Sequence, residues 1–168
     1  MNTKSSSTQN HKSGTDEIYK FFLITVSSSR YSTYGDVTNP EQADDSSGKT
    51  IKNLLTTNGH DVIQYMLIND DSNAIQKALR SAVDSDADIT ITTGGTGLTS
   101  HDVTIEAVTP MFEKIIPGFG ELFRFKSIEE IGTSVILTRS TAGIINGKAV
   151  FCLPGSSNAV RLAIKDII

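Results

Sequence analysis

A glycine-rich segment at residues 92–104 carries the residue types best suited to chemistry on a phosphate. It reads Thr-Thr-Gly-Gly-Thr-Gly-Leu-Thr-Ser-His-Asp-Val-Thr and follows a β-branched run at 87–91. Because glycine has no Cβ, the backbone at Gly94, Gly95 and Gly97 can adopt positive φ and turn its N–H groups towards an anion. The helical pattern that follows would add the positive end of its dipole. The segment therefore predicts a phosphate-binding loop.

The same glycines allow a second interpretation, a tight strand-to-helix turn that binds no ligand. The polar content of the segment favours the binding site, because a turn alone needs fewer hydroxyl and carboxylate groups. These groups belong to Thr92, Thr93, Thr96, Thr99, Ser100 and Asp102.

Composition limits the class of protein. The 168 residues, 38% of them apolar, are enough for one α/β domain at 17–168, and the Ser-, Thr- and Asn-rich stretch 1–16, which includes His11, is predicted to be a disordered tail. A net charge of −4 without a basic block argues against a nucleic-acid partner. The sequence shows no signal peptide and no apolar run of about 20 residues, so we expect a cytoplasmic protein without a membrane partner. The single cysteine, Cys152, lies in an apolar run and is predicted to be a packed core thiol.

Strands and helices alternate along the chain. Strand patterns occur at 18–26, 61–68, 87–92, 134–138 and 148–153. Helical patterns occur at 46–58, 72–83, 103–112 and 119–128, and from residue 157 onwards. This alternation predicts an α/β three-layer sandwich, with a mostly parallel central sheet and helices on both faces.

Such a sheet binds ligands outside the carboxyl ends of its strands. The segments that follow four of the predicted strands are all polar, and they lie at 27–30, 69–72, 94–102 and 154–158. Brought together, they would form one cleft able to hold phosphates and magnesium.

Four motifs in this order resemble the MoaB/MogA family of molybdenum-cofactor biosynthesis proteins, which includes the G domain of gephyrin. They are Thr92-Thr93-Gly94-Gly95-Thr96-Gly97, Asp102-Val103-Thr104, Pro117-Gly118-Phe119-Gly120-Glu121 and Leu153-Pro154-Gly155-Ser156. The resemblance extends from about Ile18 to the end of the chain, and residues 127–133 are more similar to the MoaB branch.

The resemblance implies a function. Family members bind molybdopterin, and the active ones transfer AMP from Mg-ATP to the terminal phosphate of molybdopterin. They form homotrimers or homohexamers, and hand-over to a metal-insertion protein is a possible further step. The alternative within the family is a non-catalytic molybdopterin-binding carrier or scaffold. An unrelated flavodoxin-like binding module is a third hypothesis.

The resemblance also implies roles for individual residues. Asp70 and Asp102 match the essential acidic positions and are the predicted catalytic residues, and Asp70 is also the predicted magnesium ligand, since Mg²⁺ prefers oxygen donors. The alternative for each is that it caps the helix that it precedes. Retention of both carboxylates favours the enzyme over the carrier. The predicted contacts to molybdopterin and ATP are Ser47, Gly48, Thr93, Gly94, Gly95, Thr96, Gly97, Pro154, Gly155 and Ser156.

An attacking phosphate has a second pKa of about 6, so it is already largely ionised at neutral pH and needs no histidine to activate it. The site therefore needs cations more than it needs a base. Arg30 and Lys49 are the candidate cations. The Ser47-to-Thr50 segment looks like the end of a P-loop, but Ala43 stands where that motif requires glycine. His60 and His101 lack the companions of a zinc site and are predicted to be non-ligands. The aromatic cluster at 119–125 is predicted to pack in the core or in a trimer interface.

Overall fold

The computed structural model describes residues 17–168, and the predicted tail at 1–16, including His11, lies outside them. The described strands form one six-stranded sheet in the order β2-β1-β3-β6-β5-β4. β1, β2, β3 and β6 are mutually parallel, whereas β5 pairs antiparallel with β6 and with β4. Their bounds are β1 Lys20–Val26, β2 Asp61–Ile68, β3 Ile89–Thr93, β4 Lys114–Ile115, β5 Thr141–Ile145 and β6 Lys148–Leu153.

Helices cover both faces of this sheet. Within residues 17–168 they are α1 Ser28–Tyr34, α2 Ser46–Thr57, α3 Ser72–Asp84, α4 Thr104–Val108, α5 Pro117–Ile131 and α6 Ser157–Asp166. Short 3₁₀ segments occur at Pro40–Ala43, Thr109–Met111 and Gly132–Leu137. Of the helices in these residues, none is long and apolar enough to cross a membrane.

Two buried clusters, one on each face of the sheet, hold the layers together. Alternate residues of β1 point to opposite faces, so that Leu23 packs with α2, α5 and α6 while Ile24 packs with α3 and α4. Central strands of a parallel sheet are buried on both faces and read as continuous apolar runs. The predicted three-layer α/β sandwich is therefore confirmed.

The predicted strand at 134–138 is wrong. That segment belongs to the 3₁₀ turn Gly132–Leu137, where Ile136 is 79% exposed, and the strand that follows is β5. The register of β5 is set by the turn Asn146-Gly147, in which both residues have positive φ, 50° and 75°. Such a turn joins two antiparallel strands directly, so the strand must end at Ile145 whatever the β-branched content upstream.

Two other patterns are only partly realised. The helix predicted at 103–112 ends at Val108 and continues as a 3₁₀ turn, because Pro110 lacks the N–H that a longer helix would need.

In α5, Phe119 and Phe123 are buried in the core, whereas Phe125 is 72% exposed. The aromatic cluster therefore divides between the core and the surface.

A buried carboxylate fixes the start of α2. Asp45 is only 1% exposed and accepts hydrogen bonds from Thr25 Oγ1 at 2.6 Å, Tyr65 OH at 2.9 Å and the Gly48 N–H at 2.9 Å. Burial raises the pKa of Tyr65, which keeps its hydroxyl protonated as a donor. The three bonds join β1, β2 and the first turn of α2.

We expect Asp45→Ala to lower the free energy of unfolding by about 2–4 kcal/mol, because it leaves three buried donors without their acceptor. Urea denaturation measures this loss. The matched control is Asp44→Asn, since the Asp44 side chain is 87% exposed and asparagine tolerates its left-handed backbone. The control should change the free energy of unfolding by less than about 0.5 kcal/mol. Equal losses in the two variants would contradict the role given to Asp45.

Candidate functional site

The carboxyl ends of the parallel strands meet at one edge of the sheet. The Ser27 N–H donates to the Ile68 carbonyl at 3.0 Å, which joins the ends of β1 and β2. The Gly94 N–H donates to the Leu153 carbonyl at 3.1 Å, which joins the ends of β3 and β6. The four polar segments therefore lie at the same edge of the sheet, as predicted, but residues 27–30 and 69–72 do not line the cleft that is formed by residues 94–102 and 154–156, so the predicted single cleft is wrong.

The glycine loop, residues 94–102, leaves β3 with a backbone that other residues would not tolerate. Gly94 has φ of 99°, and a Cβ there would lie 2.2 Å from the Val26 carbonyl oxygen. Gly95 has φ of 62°, and a Cβ there would lie 2.3 Å from Thr104 Oγ1 and 2.8 Å from each carboxylate oxygen of Asp70. Both glycines are therefore required by the close packing of the loop.

The glycine loop forms one wall of a cleft of about 400 Å³. Eight of the residues predicted from the sequence line this cleft together, namely Gly94, Gly95, Thr96, Gly97, Asp102, Pro154, Gly155 and Ser156. The lining is completed by Leu137, the last residue of the 3₁₀ turn after α5, and by Thr138 and Arg139, which lead from that turn to β5.

Asp102 braces the glycine loop. Its carboxylate accepts hydrogen bonds from the Thr99 hydroxyl at 2.5 Å and the Thr99 N–H at 3.1 Å. The hydroxyl bond is the main reason that the pKa of Asp102 is lowered. The N-cap of α4 is Val103, so Asp102 does not cap that helix. The carboxylate is therefore ionised and fixed at the mouth of the cleft.

Asp70 lies against Gly95 on the other side of the loop. Its Oδ1 accepts the Val103 N–H at 3.3 Å. Burial raises the pKa of Asp70, the bond from Val103 opposes the rise, and the negative charge of Asp102 adds to it. The cap of α3 is the neighbouring Asp71, which accepts the Ala74 N–H at 2.9 Å. The capping alternative for Asp70 is therefore wrong.

Asp70 fits the donor chemistry of magnesium. Asp70 is partly desolvated, its pKa is raised, and the negative charge of Asp102 lies nearby. A bound cation would therefore stabilise the ionised form of Asp70. No group of three His, Cys, Asp or Glu side chains in the described part of the chain could hold a metal ion by itself. A cation bound by Asp70 would thus take its other ligands from substrate phosphates and water, as Mg²⁺ commonly does.

Three predicted binding residues lie behind the cleft wall. The Thr93 hydroxyl donates to the Pro154 carbonyl at 3.1 Å, and the Ser47 hydroxyl donates to the Gly155 carbonyl at 2.7 Å. The Gly48 N–H is occupied by Asp45. In this structure these groups hold the wall in place through contacts within the protein.

The cation of the cleft was not found from the sequence. Arg30 lines a separate cleft beside α1, and Lys49 pairs with Asp44 at 3.6 Å. Arg139 instead lines the glycine cleft, and its Nε–H donates to the Thr96 carbonyl at 3.0 Å. The only sequence signal was a basic residue just before a strand, and it was missed because β5 was assigned seven residues too early.

The remaining candidates do not line the glycine cleft. The His60 ring packs near Tyr19 and Phe21, with ring centroids 5.7 and 5.6 Å apart, at the amino end of β1. His101 is exposed in the glycine loop. Cys152 is fully buried, and burial raises the pKa of its thiol to about 12, so it is the predicted core thiol.

Comparison with known proteins identifies the family. Residues 22–168 match the family described as "Probable molybdopterin binding domain". The chain belongs to this family. It is 41% identical over 164 residues to "Molybdenum cofactor biosynthesis protein B" of Bacillus subtilis, covering 96% of this chain and 91% of that protein. It is 42% identical over 163 residues to "Molybdopterin adenylyltransferase" of Pyrococcus furiosus, covering 95% and 90%.

Solved structures of relatives share the fold. A crystal structure of molybdenum cofactor biosynthesis protein B superposes with a TM-score of 0.81 at 40% identity, covering 92% of this chain and 91% of the relative. The tungsten cofactor synthesizing protein MoaB of Pyrococcus furiosus superposes with a TM-score of 0.77 at 41% identity, covering 90% and 91%. The resemblance to the MoaB/MogA family is confirmed.

We expect Gly95→Ala to lower the free energy of unfolding by about 2 kcal/mol and to weaken Mg-ATP binding at least about tenfold. The new Cβ would strain the backbone and displace Thr104 or Asp70. Gly118→Ala is the control, because a Cβ there would meet nothing within 4 Å. Urea denaturation and titration calorimetry measure the two effects. Unchanged Mg-ATP binding in Gly95→Ala would contradict the phosphate loop.

The two carboxylates should affect stability in opposite directions at neutral pH. The raised pKa of Asp70 means that its ionised form destabilises the fold, so Asp70→Asn should raise the melting temperature at pH 7. The lowered pKa of Asp102 means that its ionised form stabilises the fold, so Asp102→Asn should lower it. The Asp70 difference should shrink as the pH falls through the raised folded-state pKa and vanish below the unfolded-state value of about 4, whereas the Asp102 difference should begin to shrink only near about pH 4 and vanish below its lowered folded-state pKa. Calorimetric melting across this range tests the pair, and shifts of the same sign would contradict the assignment.

Proposed function

We propose that this protein acts in molybdenum cofactor biosynthesis as a molybdopterin adenylyltransferase, which transfers AMP from Mg-ATP to the terminal phosphate of molybdopterin. The observation that carries the proposal is the glycine cleft, which Asp102 lines and beside which Asp70 packs against Gly95. The relative of that name from Pyrococcus furiosus, 42% identical over 90% of its length, supports the reaction type.

The reaction is a displacement at phosphorus. An oxygen of the molybdopterin phosphate forms a bond to the α-phosphorus of ATP, and the bond from that phosphorus to the bridging oxygen of the β-phosphate breaks. Pyrophosphate leaves with the bonding electron pair. Because the attacking phosphate is largely dianionic near neutral pH, the protein has to position and neutralise two anions.

The chain supplies groups for both tasks. Gly94 and Gly95 have positive φ and line the cleft, and the Gly95 N–H is the group of this pair that would face a phosphate, since the Gly94 N–H donates to Leu153. The ten-residue helix α6 begins at the cleft, and its positive end adds to the attraction for phosphate. Asp70 would hold the Mg²⁺ of Mg-ATP. When bound, this ion would supply the largest positive charge next to the ATP phosphates.

The apolar surface of α5 supports a homo-oligomer. Leu122, Phe125 and Ile128 are at least 41% exposed, and such side chains on one helix are typical of a subunit contact. We propose a trimer or a hexamer of this kind. A single domain at 17–168, a cytoplasmic location and hand-over to a metal-insertion protein stay predictions.

We expect Asp70→Ala to lower kcat at least about 100-fold while pterin binding persists, because the variant removes the predicted magnesium ligand. Asp71→Ala is the matched control. It removes the cap of α3, at a cost in stability of about 1 kcal/mol, and should leave kcat within about twofold. The assay incubates the protein with molybdopterin and Mg-ATP and separates adenylylated pterin and pyrophosphate by chromatography.

Pterin binding by the unmodified protein without any product would contradict the enzyme and favour the carrier. Full activity of Asp70→Ala would contradict the role of this carboxylate. Absence of both pterin binding and product would contradict the proposed function altogether.

A further inference from the structure

Arg139 forms hydrogen bonds to two separate residues of the glycine loop. Its Nε–H donates to the Thr96 carbonyl at 3.0 Å, and its Nη2 donates to the Asp102 carbonyl at 3.2 Å. These carbonyls lie on either side of the exposed tip of the loop, which includes Leu98. The planar guanidinium therefore fixes the separation of the two ends of the tip.

Glu106, on α4, holds the other side of the guanidinium. Its carboxylate accepts from Nη1 and, at 3.3 Å, from Nη2, a bidentate arrangement that fixes orientation as well as distance. Glu106 does not line the cleft, whereas Arg139 does. The carboxylate thus lies behind the arginine, relative to a ligand in the cleft.

The donor inventory of Arg139 leaves one group unused. A guanidinium has five N–H donors, and the contacts to Thr96, Asp102 and Glu106 occupy four of them. Within residues 17–168, one N–H on Nη1 has no protein acceptor. A bound anion could therefore add to the existing contacts of Arg139 without breaking them.

We propose that Arg139 is a positioning residue that holds the glycine loop in its phosphate-binding form, and that Glu106 limits how strongly the arginine charge draws anions into the cleft. This inference rests on the proposed function, in which pyrophosphate is formed and must leave. Arg139 and Asp102 are the charged side chains that line the cleft. The field at the phosphates therefore depends on how far Glu106 offsets the arginine.

The test measures binding of inorganic pyrophosphate to the full chain by titration calorimetry at two ionic strengths. Glu106→Gln keeps one of the two acceptor oxygens and removes the negative charge, so it should bind pyrophosphate about two- to fivefold more tightly, with a steeper dependence on salt. Arg139→Met removes both the clamp and the charge and should bind at least about tenfold more weakly. Arg139→Lys should lie between Arg139→Met and the unmodified protein, because a single ammonium group cannot reproduce the planar fork.

Two controls change the net charge equally outside the cleft. Asp84 lies at the end of α3 that is away from the cleft, and Arg80 lies on the exposed face of α3. Asp84→Asn changes the net charge by the same amount as Glu106→Gln, and Arg80→Met changes it by the same amount as Arg139→Met. Both should leave pyrophosphate affinity within about 1.5-fold, since surface charges at this distance are largely screened. Melting temperatures of all variants show whether the fold is retained.

Weaker or unchanged pyrophosphate binding in Glu106→Gln would overturn the inference, because a purely structural brace predicts loss rather than gain. Wild-type affinity in Arg139→Lys would overturn the positioning role. The readout needs neither pterin nor turnover. Product formation without the predicted affinity changes would therefore refute this inference alone, whereas the affinity changes without product would refute only the proposed function.

Discussion

The site depends on a backbone contact that only glycine permits. Because β1, β3 and β6 are adjacent and parallel, the chain leaving β3 must pass directly over the ends of its neighbours. At Gly94 it does so with a Cβ position 2.2 Å from the Val26 carbonyl oxygen, and a Cβ on Gly155 would lie 3.3 Å from the Cα of Gly94. Main chain thus packs against main chain. The space that side chains would fill becomes part of the cleft lined by the glycine loop and by Pro154, Gly155 and Ser156.

A rigid frame surrounds this contact, and its parts come from distant segments. Asp45 fixes the first turn of α2 to β1 and β2, and Ser47 in that turn donates to Gly155 at the start of the loop before α6. The amino ends of α2 and α6 therefore lie side by side, with the hydroxyls of Ser46 and Ser157 3.3 Å apart. The frame holds the cleft wall, while the charged groups that line the cleft, Asp102 and Arg139, are carried on the glycine loop and on the connection after α5.

Sequence patterns predicted most of the strands and helices and eight of the residues that line the cleft. Continuous apolar runs identify β1, β2, β3 and β6, and amphipathic spacing identifies α3, because burial dictates both patterns. Asp45 and Arg139 were not identified. Their roles depend on contacts with Tyr65 and Thr96, respectively, and spacing along the chain says nothing about such contacts. The strand β5 was misplaced because β-branched residues at 134–138 were weighted above the Asn146-Gly147 turn, which fixes the register.

Residues 134–138, which were wrongly predicted to be a strand, also bear on which phosphate ester the cleft would select. A loop of backbone N–H groups recognises phosphate and is indifferent to the group that the phosphate carries. Discrimination between phosphate esters must therefore come from side chains that line the cleft outside the loop. Leu137 and Thr138 are in that position, at the end of the 3₁₀ turn that precedes Arg139. Leu137 is apolar and 57% exposed, so a ring system carried by a bound phosphate ester would have an apolar surface to pack against. A regular strand at 134–138 would have paired this backbone within the sheet, and the irregular turn instead leaves it free to shape the cleft.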